Sequence, residues 1–213
     1  IQVWNRNPQK YQNFKANSVS IAQNLNSFDA GIILTVLPNS DEVFEVLNNG
    51  LLETLDKDDL LVVMGTVSPE SMIHINNLVG TKGARAVDAP VSGGDVGAQE
   101  ARLSIMVGGG SQDYARILPF LKVIGASIKH VGEIGSAQGL KACNQILVGG
   151  NLVAIAEALK AKETGEEKVI LTALCGHGHF DLAAYDAYLN GSMVDSALNE
   201  KDFEAALAAL PVM

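Results

Sequence analysis

With 213 residues, 47% hydrophobic, 18% charged and 5% aromatic, the chain has the composition of a folded domain and not of a disordered or low-complexity one. Its formal net charge of −9 argues against nucleic acid or an anionic membrane surface as a partner. Two cysteines, Cys143 and Cys175, are too few for a disulfide framework and suit a reducing, cytoplasmic setting.

Along the chain, residues 1–4 form a short apolar run that predicts the end of a strand, and Asn7-Pro8 opens a helix. The opening twelve residues, IQVWNRNPQKYQ, lack the form of a signal peptide. Residues 30–37 (AGIILTVL) are a continuous run closed by Pro38-Asn39-Ser40-Asp41, which predicts a buried strand, a turn and a helix through Val43, Phe44, Val46 and Leu47. Residues 60–64 (LLVVM) predict a second buried strand ending at Gly65-Thr66, and Ser68-Pro69-Glu70 starts a helix with Ser as N-cap and Pro at the first position. Strands at 85–89, 103–107 and 127–131 follow, with a loop over 90–97 and a helix from near Ser111. Strands alternating with helices predict βαβ units in a mostly parallel sheet.

From Ser136 the pattern changes to helical recurrence through Leu140, Ile146, Leu147, Leu152, Val153, Ile155 and Leu159, which predicts one long helix to about Lys162. Its most apolar stretch, residues 146–155, is too short to span a bilayer. After it come an apolar run at 169–174, a Gly/His-rich turn and two helical segments.

Two elements carry chemistry. The first is DAPVSGG, residues 88–94, which follows a strand at the edge where open α/β sheets place ligands. Gly93 and Gly94 permit close backbone approach, Ser92 adds a hydroxyl, and together they can hold a carboxylate. Alone, such a loop is more often an ordinary glycine-rich connection. The second is GSAQGLKACNQ, residues 135–145. On a helix, Lys141, Asn144 and Gln145 share one face. A lysine beside amides can donate a proton to a carbonyl oxygen as hydride reaches carbon, and burial lowers its pKa toward working pH. The other reading is an exposed lysine near a helix start. GGGSQ at 108–112 is glycine-rich and precedes a helix, a form that can hold a phosphate, but it reads first as a strand-to-helix connection. His177-Gly178-His179, near Cys175 and Asp181, is too crowded for usual zinc spacing and reads as a polar turn, so no metal site is expected.

Taken together, DAPVSGGDVGAQEARLSIMVGG and HVGEIGSAQGLKACNQILVGGNLVAIAEAL resemble the β-hydroxyacid dehydrogenase family over roughly residues 1–159. That family includes 3-hydroxyisobutyrate dehydrogenase, tartronate semialdehyde reductase and 6-phosphogluconate dehydrogenase. The resemblance implies that Ser92, Gly93 and Gly94 bind the substrate carboxylate region, that Lys141 is the general acid/base, and that Asn144 and Gln145 join the substrate-side hydrogen-bond network. It implies cofactor contacts at Asn5, Arg6, Leu37, Pro38 and Thr66. An arginine at position 6 favours NADP over NAD by pairing with a 2′-phosphate. The implied partner is a small carboxylate substrate, with no nucleic acid or membrane, and a homodimer as the assembly.

The family's opening strand and GxGxxG turn have no counterpart in these residues. The expected fold is therefore α/β: an incomplete Rossmann-like parallel sheet lacking its first βα unit, then a long helix and a short α/β tail. The expected division is 1–131 as a partial dinucleotide-binding domain, 132–162 as a long interdomain helix and 163–213 as a tail of different character. Residues 166–189, EEKVILTALCGHGHFDLAAYDAYL, resemble the C-terminal end of tryptophan synthase β-like pyridoxal-phosphate enzymes, with a junction near 157–159. Three functions follow: a truncated NAD(P)-dependent dehydrogenase of small 3-hydroxy acids, a non-catalytic chimeric remnant with no cofactor, or a pyridoxal-phosphate-related protein.

Overall fold

A computed structural model describes residues 1–7, 9–10, 19–29 and 31–168. The chain opens with β1 (Gln2–Val3), β2 (Ser20–Ile21), β3 (Ile32–Thr35), α1 (Ser40–Val46), α2 (Leu52–Thr54) and β4 (Leu60–Val63). Then come α3 (Pro69–Gly80), β5 (Arg85–Asp88), β6 (Val91–Ser92), α4 (Gly94–Gln99), β7 (Leu103–Gly108), α5 (Ser111–Leu121), β8 (Gly125–Gly132) and α6 (Ser136–Thr164).

The sequence Leu-Leu-Val-Val becomes β4 because both faces of the strand are covered: all four side chains are fully buried. Successive side chains point to opposite faces. Leu61 and Val63 join a core with Val43, Leu47 and Leu51 and with Met72, Ile75 and Val79 of α3. Leu60 and Val62 join a second core with Val87, Ile105 and Val107 and with Ile117 and Leu121 of α5. Two helical layers thus enclose the sheet, as a doubly wound arrangement requires.

β3, β4 and β5 are parallel neighbours, and β7 and β8 are parallel as well. The sheet is nevertheless mixed: β7 joins β5 and β6 antiparallel. β6 is itself a departure from the loop expected over 90–97. Val91 and Ser92 pair with Ile105 and Ser104, and the chain then turns into α4 through Gly93 at φ 135° and Gly94 at φ 61°, values glycine adopts without steric cost. β1 and β2 form a separate parallel pair, so β3 is an edge of the larger sheet. β2 is too short to show as a run in the sequence.

Helix starts follow the capping rules. The Ser68 hydroxyl accepts from the Ser71 N–H at 3.0 Å with Pro69 in the first turn, and Asn39 Oδ1 accepts from the Glu42 N–H at 3.0 Å. The GGGSQ segment is a strand-to-helix connection: Gly108 ends β7, Gly109 donates to the Gly132 carbonyl, and Gly110 precedes α5.

α6 has 29 residues and, by length and composition, is long and apolar enough to cross a membrane, with mean hydropathy 1.3 in its most apolar window. Ile146, Leu152, Val153 and Ile155 are exposed. The chain groups into two compact units, Ile1–Gly149 and Gly150–Met213, so the first half of α6 belongs with the sheet. In the second unit the described residues carry an ion pair from Lys168 to Glu157 at 3.3 Å. The expected helix from Asn7-Pro8, the run at 169–174 and the turn with Cys175, His177, His179 and Asp181 lie largely or wholly outside the described residues.

Candidate active site

The C-terminal ends of β4 and β5 deliver the polar groups. Asp88, the last residue of β5, is completely buried beside Gly108, its cross-strand partner. A Cβ on Gly108 would stand 2.5 Å from Asp88 Oδ1, so glycine is what admits the carboxylate. Asp88 Oδ1 accepts the Gly135 N–H at 2.8 Å, and Oδ2 accepts the Gln138 N–H at 2.9 Å. The orphan amides at the start of α6 are thus satisfied by a carboxylate from the sheet. Burial drives the Asp88 pKa up, against the opposing effect of these backbone donors.

One turn of α6 further on, Lys141 is 8% exposed, and burial lowers its pKa. An ordinary surface lysine is excluded by that burial. Lys141 lines an open cleft of about 730 Å³ together with Ser92, Gly93, Gly94, Gln145 and Asp95. Apolar side chains, among them Leu34, Val36, Met64 and Leu103, form the rest of the lining. Five of the sequence-derived site residues therefore converge from β6, the start of α4 and α6. Asn144 does not line the cleft; it is half-buried beside it and donates to Gln145 Oε1 at 3.4 Å.

The other five positions are placed differently. Leu37 is half-buried and Pro38 and Thr66 are exposed, in the loops that follow β3 and β4. These loops touch: a Cβ on Gly65 would stand 2.0 Å from the Leu37 carbonyl oxygen. Val36 and Met64, their neighbours, reach the cleft. Asn5 and Arg6 are not part of that lining. Asn5 Oδ1 accepts the Asn7 N–H at 2.8 Å, and the Arg6 guanidinium pairs with Glu42 at 3.1 Å and Glu45 at 3.8 Å on and beside the first turns of α1.

Residues that sequence reasoning left unassigned are Asp88, Gln138, Glu42 and Glu45. Asp88 and Gln138 stand inside the two quoted motifs, and an acidic residue closing an apolar strand was the available signal. The acidic pair on α1 reads in sequence as an ordinary solvated helix face. Among the described residues no group of three or more His, Cys, Asp or Glu is placed to hold a metal. Cys143 is exposed and free.

Residues 1–132 match the family described as the NAD binding domain of 6-phosphogluconate dehydrogenase. The chain belongs to that family. The chain is 42% identical over 130 residues to 2-(hydroxymethyl)glutarate dehydrogenase of Eubacterium barkeri, covering 60% of this chain and 43% of that protein. It is 38% identical over 149 residues to 2-hydroxy-3-oxopropionate reductase of Escherichia coli, covering 68% and 51%. The fold matches Mycobacterium tuberculosis 3-hydroxyisobutyrate dehydrogenase solved with L-serine, at TM-score 0.69 and 23% identity, covering 95% of this chain and 81% of that one. The chain spans about half the length of the curated relatives it matches.

Gly65 lets the loops after β3 and β4 close on each other, and the neighbouring residues Val36 and Met64 of those loops line the cleft where a nicotinamide could lie. No GxGxxG spacing occurs in the 213 residues, so a pyrophosphate cradle of that kind is not among them.

Proposed function

We propose that this chain carries the substrate loop and the acid/base lysine of an NAD(P)-dependent dehydrogenase acting on small 3-hydroxy acids or the corresponding 3-oxo acids. The observation that supports it best is the convergence of Ser92, Gly93, Gly94 and buried Lys141 on one cleft. The backbone and hydroxyl of Ser92, Gly93 and Gly94 hold the substrate carboxylate, and Gln145, with Asn144 behind it, orients the hydroxyl-bearing end. Leu34, Val36 and Met64 give the cleft an apolar wall.

The nicotinamide cofactor, when bound, supplies or takes up the hydride. In reduction, the Lys141 ammonium gives a proton to the carbonyl oxygen, so that C–H and O–H bonds form and the C=O π bond is lost. In oxidation, neutral Lys141 takes the hydroxyl proton. A depressed pKa increases the neutral fraction that this direction needs. Leu37, Pro38 and Thr66 hold the nicotinamide end, and Asn5 and Arg6 the adenine ribose. An arginine at position 6 favours NADP, although a 2′-phosphate must draw it from Glu42 and Glu45.

The substrate is a small carboxylate, the setting is cytoplasmic, and two copies associate through exposed apolar residues of α6; light scattering tests the last point. The tail's resemblance to tryptophan synthase β-like enzymes concerns residues mostly outside those described, and a pyridoxal-phosphate protein would show a visible absorbance band. NADPH fluorescence titration, followed by NADPH consumption with a small 3-oxo acid, tests the main reading. Saturable binding and turnover lost in Lys141→Ala are expected. No binding at millimolar NADPH would instead identify a non-catalytic remnant.

A further inference from the structure

Gln138 is 1% exposed, yet its side chain is fully polar at its tip. Its Oε1 accepts the Val67 N–H at 3.1 Å, and its Nε2 donates to the Gly65 carbonyl at 2.9 Å. The partners fix the amide orientation, since one is an obligate donor and the other an obligate acceptor. Glu in this place would meet the Gly65 carbonyl with lone pairs, and Met would leave both backbone groups unmet. The residue therefore ties α6 to the loop that contains Thr66. Its own N–H is held by Asp88, four positions before Ser92 on the strand that leads into the substrate loop. Lys141 follows Gln138 by three positions on the same helix.

We propose that Gln138 is a positioning residue: by bridging Gly65 and Val67 it registers the helix carrying Lys141 against the cofactor-side loop and sets where the ammonium stands in the cleft. This rests on the reading of Lys141 as the acid/base. Gln138 is not part of the cleft lining, and it acts through the helix. A turn of helix is stiff, so a tie at position 138 constrains position 141 more than a tie further along would.

The test is the Cε resonance of Lys141 followed against pH in protein labelled with 13C-lysine, assigned by its loss in Lys141→Arg. Asp95, the other ionisable group of the cleft lining, and Asp88, behind the first turn, are present in both proteins compared. In the wild type Lys141 titrates below the other lysines. In Gln138→Met its midpoint moves toward theirs by roughly half a pH unit or more, while the other lysines stay put. A folded Gln138→Met with an unchanged Lys141 midpoint overturns the proposal. Should that variant not fold, amide exchange in the wild type decides: protection of the Val67 N–H equal to that of the Gln138 N–H supports the tie, and loop-like exchange at Val67 overturns it. Absence of NADPH binding with the Lys141 shift intact would remove the dehydrogenase reading and leave the hold of Gln138 on the lysine standing, so the two failures are read apart.

Discussion

Asp88 Oδ2 accepts the N–H of Gln138 at 2.9 Å, from a residue 50 positions along the chain. This bond and its twin to Gly135 replace the local N-cap that α6 lacks, and they seat the helix on the end of β5. Replacing Asp88 by Ala strands two buried N–H groups, at about 1–3 kcal/mol for each one left without an acceptor. Urea denaturation measures the loss. The pH dependence has a defined sign. Asp88 has a raised pKa in the fold, so the folded state holds its proton to higher pH than the unfolded chain. Its contribution is full below an unfolded carboxyl value of about 3.9 and declines as pH rises through the folded value. The stability difference between wild type and Asp88→Ala should shrink with rising pH over that window; a difference growing with pH would contradict it.

Lys141 shows the opposite case. Its pKa is lowered by burial, so the unfolded chain holds this proton more tightly. The contribution of the residue to stability is present above an unfolded lysine value of about 10.4 and is lost as pH falls through the folded value. Lys141→Met should therefore raise the melting temperature at pH 7, with the gain disappearing in strongly alkaline buffer. The same variant should lower turnover about a hundred- to ten-thousand-fold, the range for loss of a positioned acid/base. A Met variant that melts lower at pH 7 and retains turnover would rule out both statements.

Gly65 is required by contact and not by an unusual φ. A methyl group there meets the Leu37 carbonyl at 2.0 Å, and that neighbour is backbone. Gly65→Ala should cost at least about 2 kcal/mol in chemical denaturation and weaken NADPH binding, because the Leu37 and Thr66 loops must part. Normal stability in this variant would show that the loops are not held together.

Arg6 is contested by Glu42 and Glu45. Converting both to Gln should raise the preference for NADPH over NADH by about two- to five-fold, the scale of exposed ion pairs. The increase should fade at high salt. Parallel fluorescence titrations with the two cofactors measure it, and an unchanged ratio would remove Arg6 from the ribose site.

Much of this was legible from one-dimensional pattern. The four-residue run at 60–63 had to be a strand buried on both sides, because no periodic polar face exists in it. Ser68-Pro69 had to start a helix, because a hydroxyl and a missing N–H suit the same turn. The substrate loop and the lysine helix were visible as motifs, since each is local. β2 and β6 were not visible: two-residue strands owe their existence to a pairing partner and not to their own composition. The antiparallel turn of β7 against β5 and β6 was likewise hidden, because strand direction depends on the whole path of the connection.

The amino-acid sequence by itself determined the α/β alternation, the helix starts, and the residue types at Ser92, Gly93, Gly94 and Lys141, because these depend on neighbours within a turn or two. Only the tertiary structure decided that Lys141 is buried, that Asp88 serves as the cap of α6, and that Gln138 spends its amide on Gly65 and Val67. Desolvation and long-range hydrogen bonds are properties of what surrounds a group, and the surroundings come from residues far away in the chain.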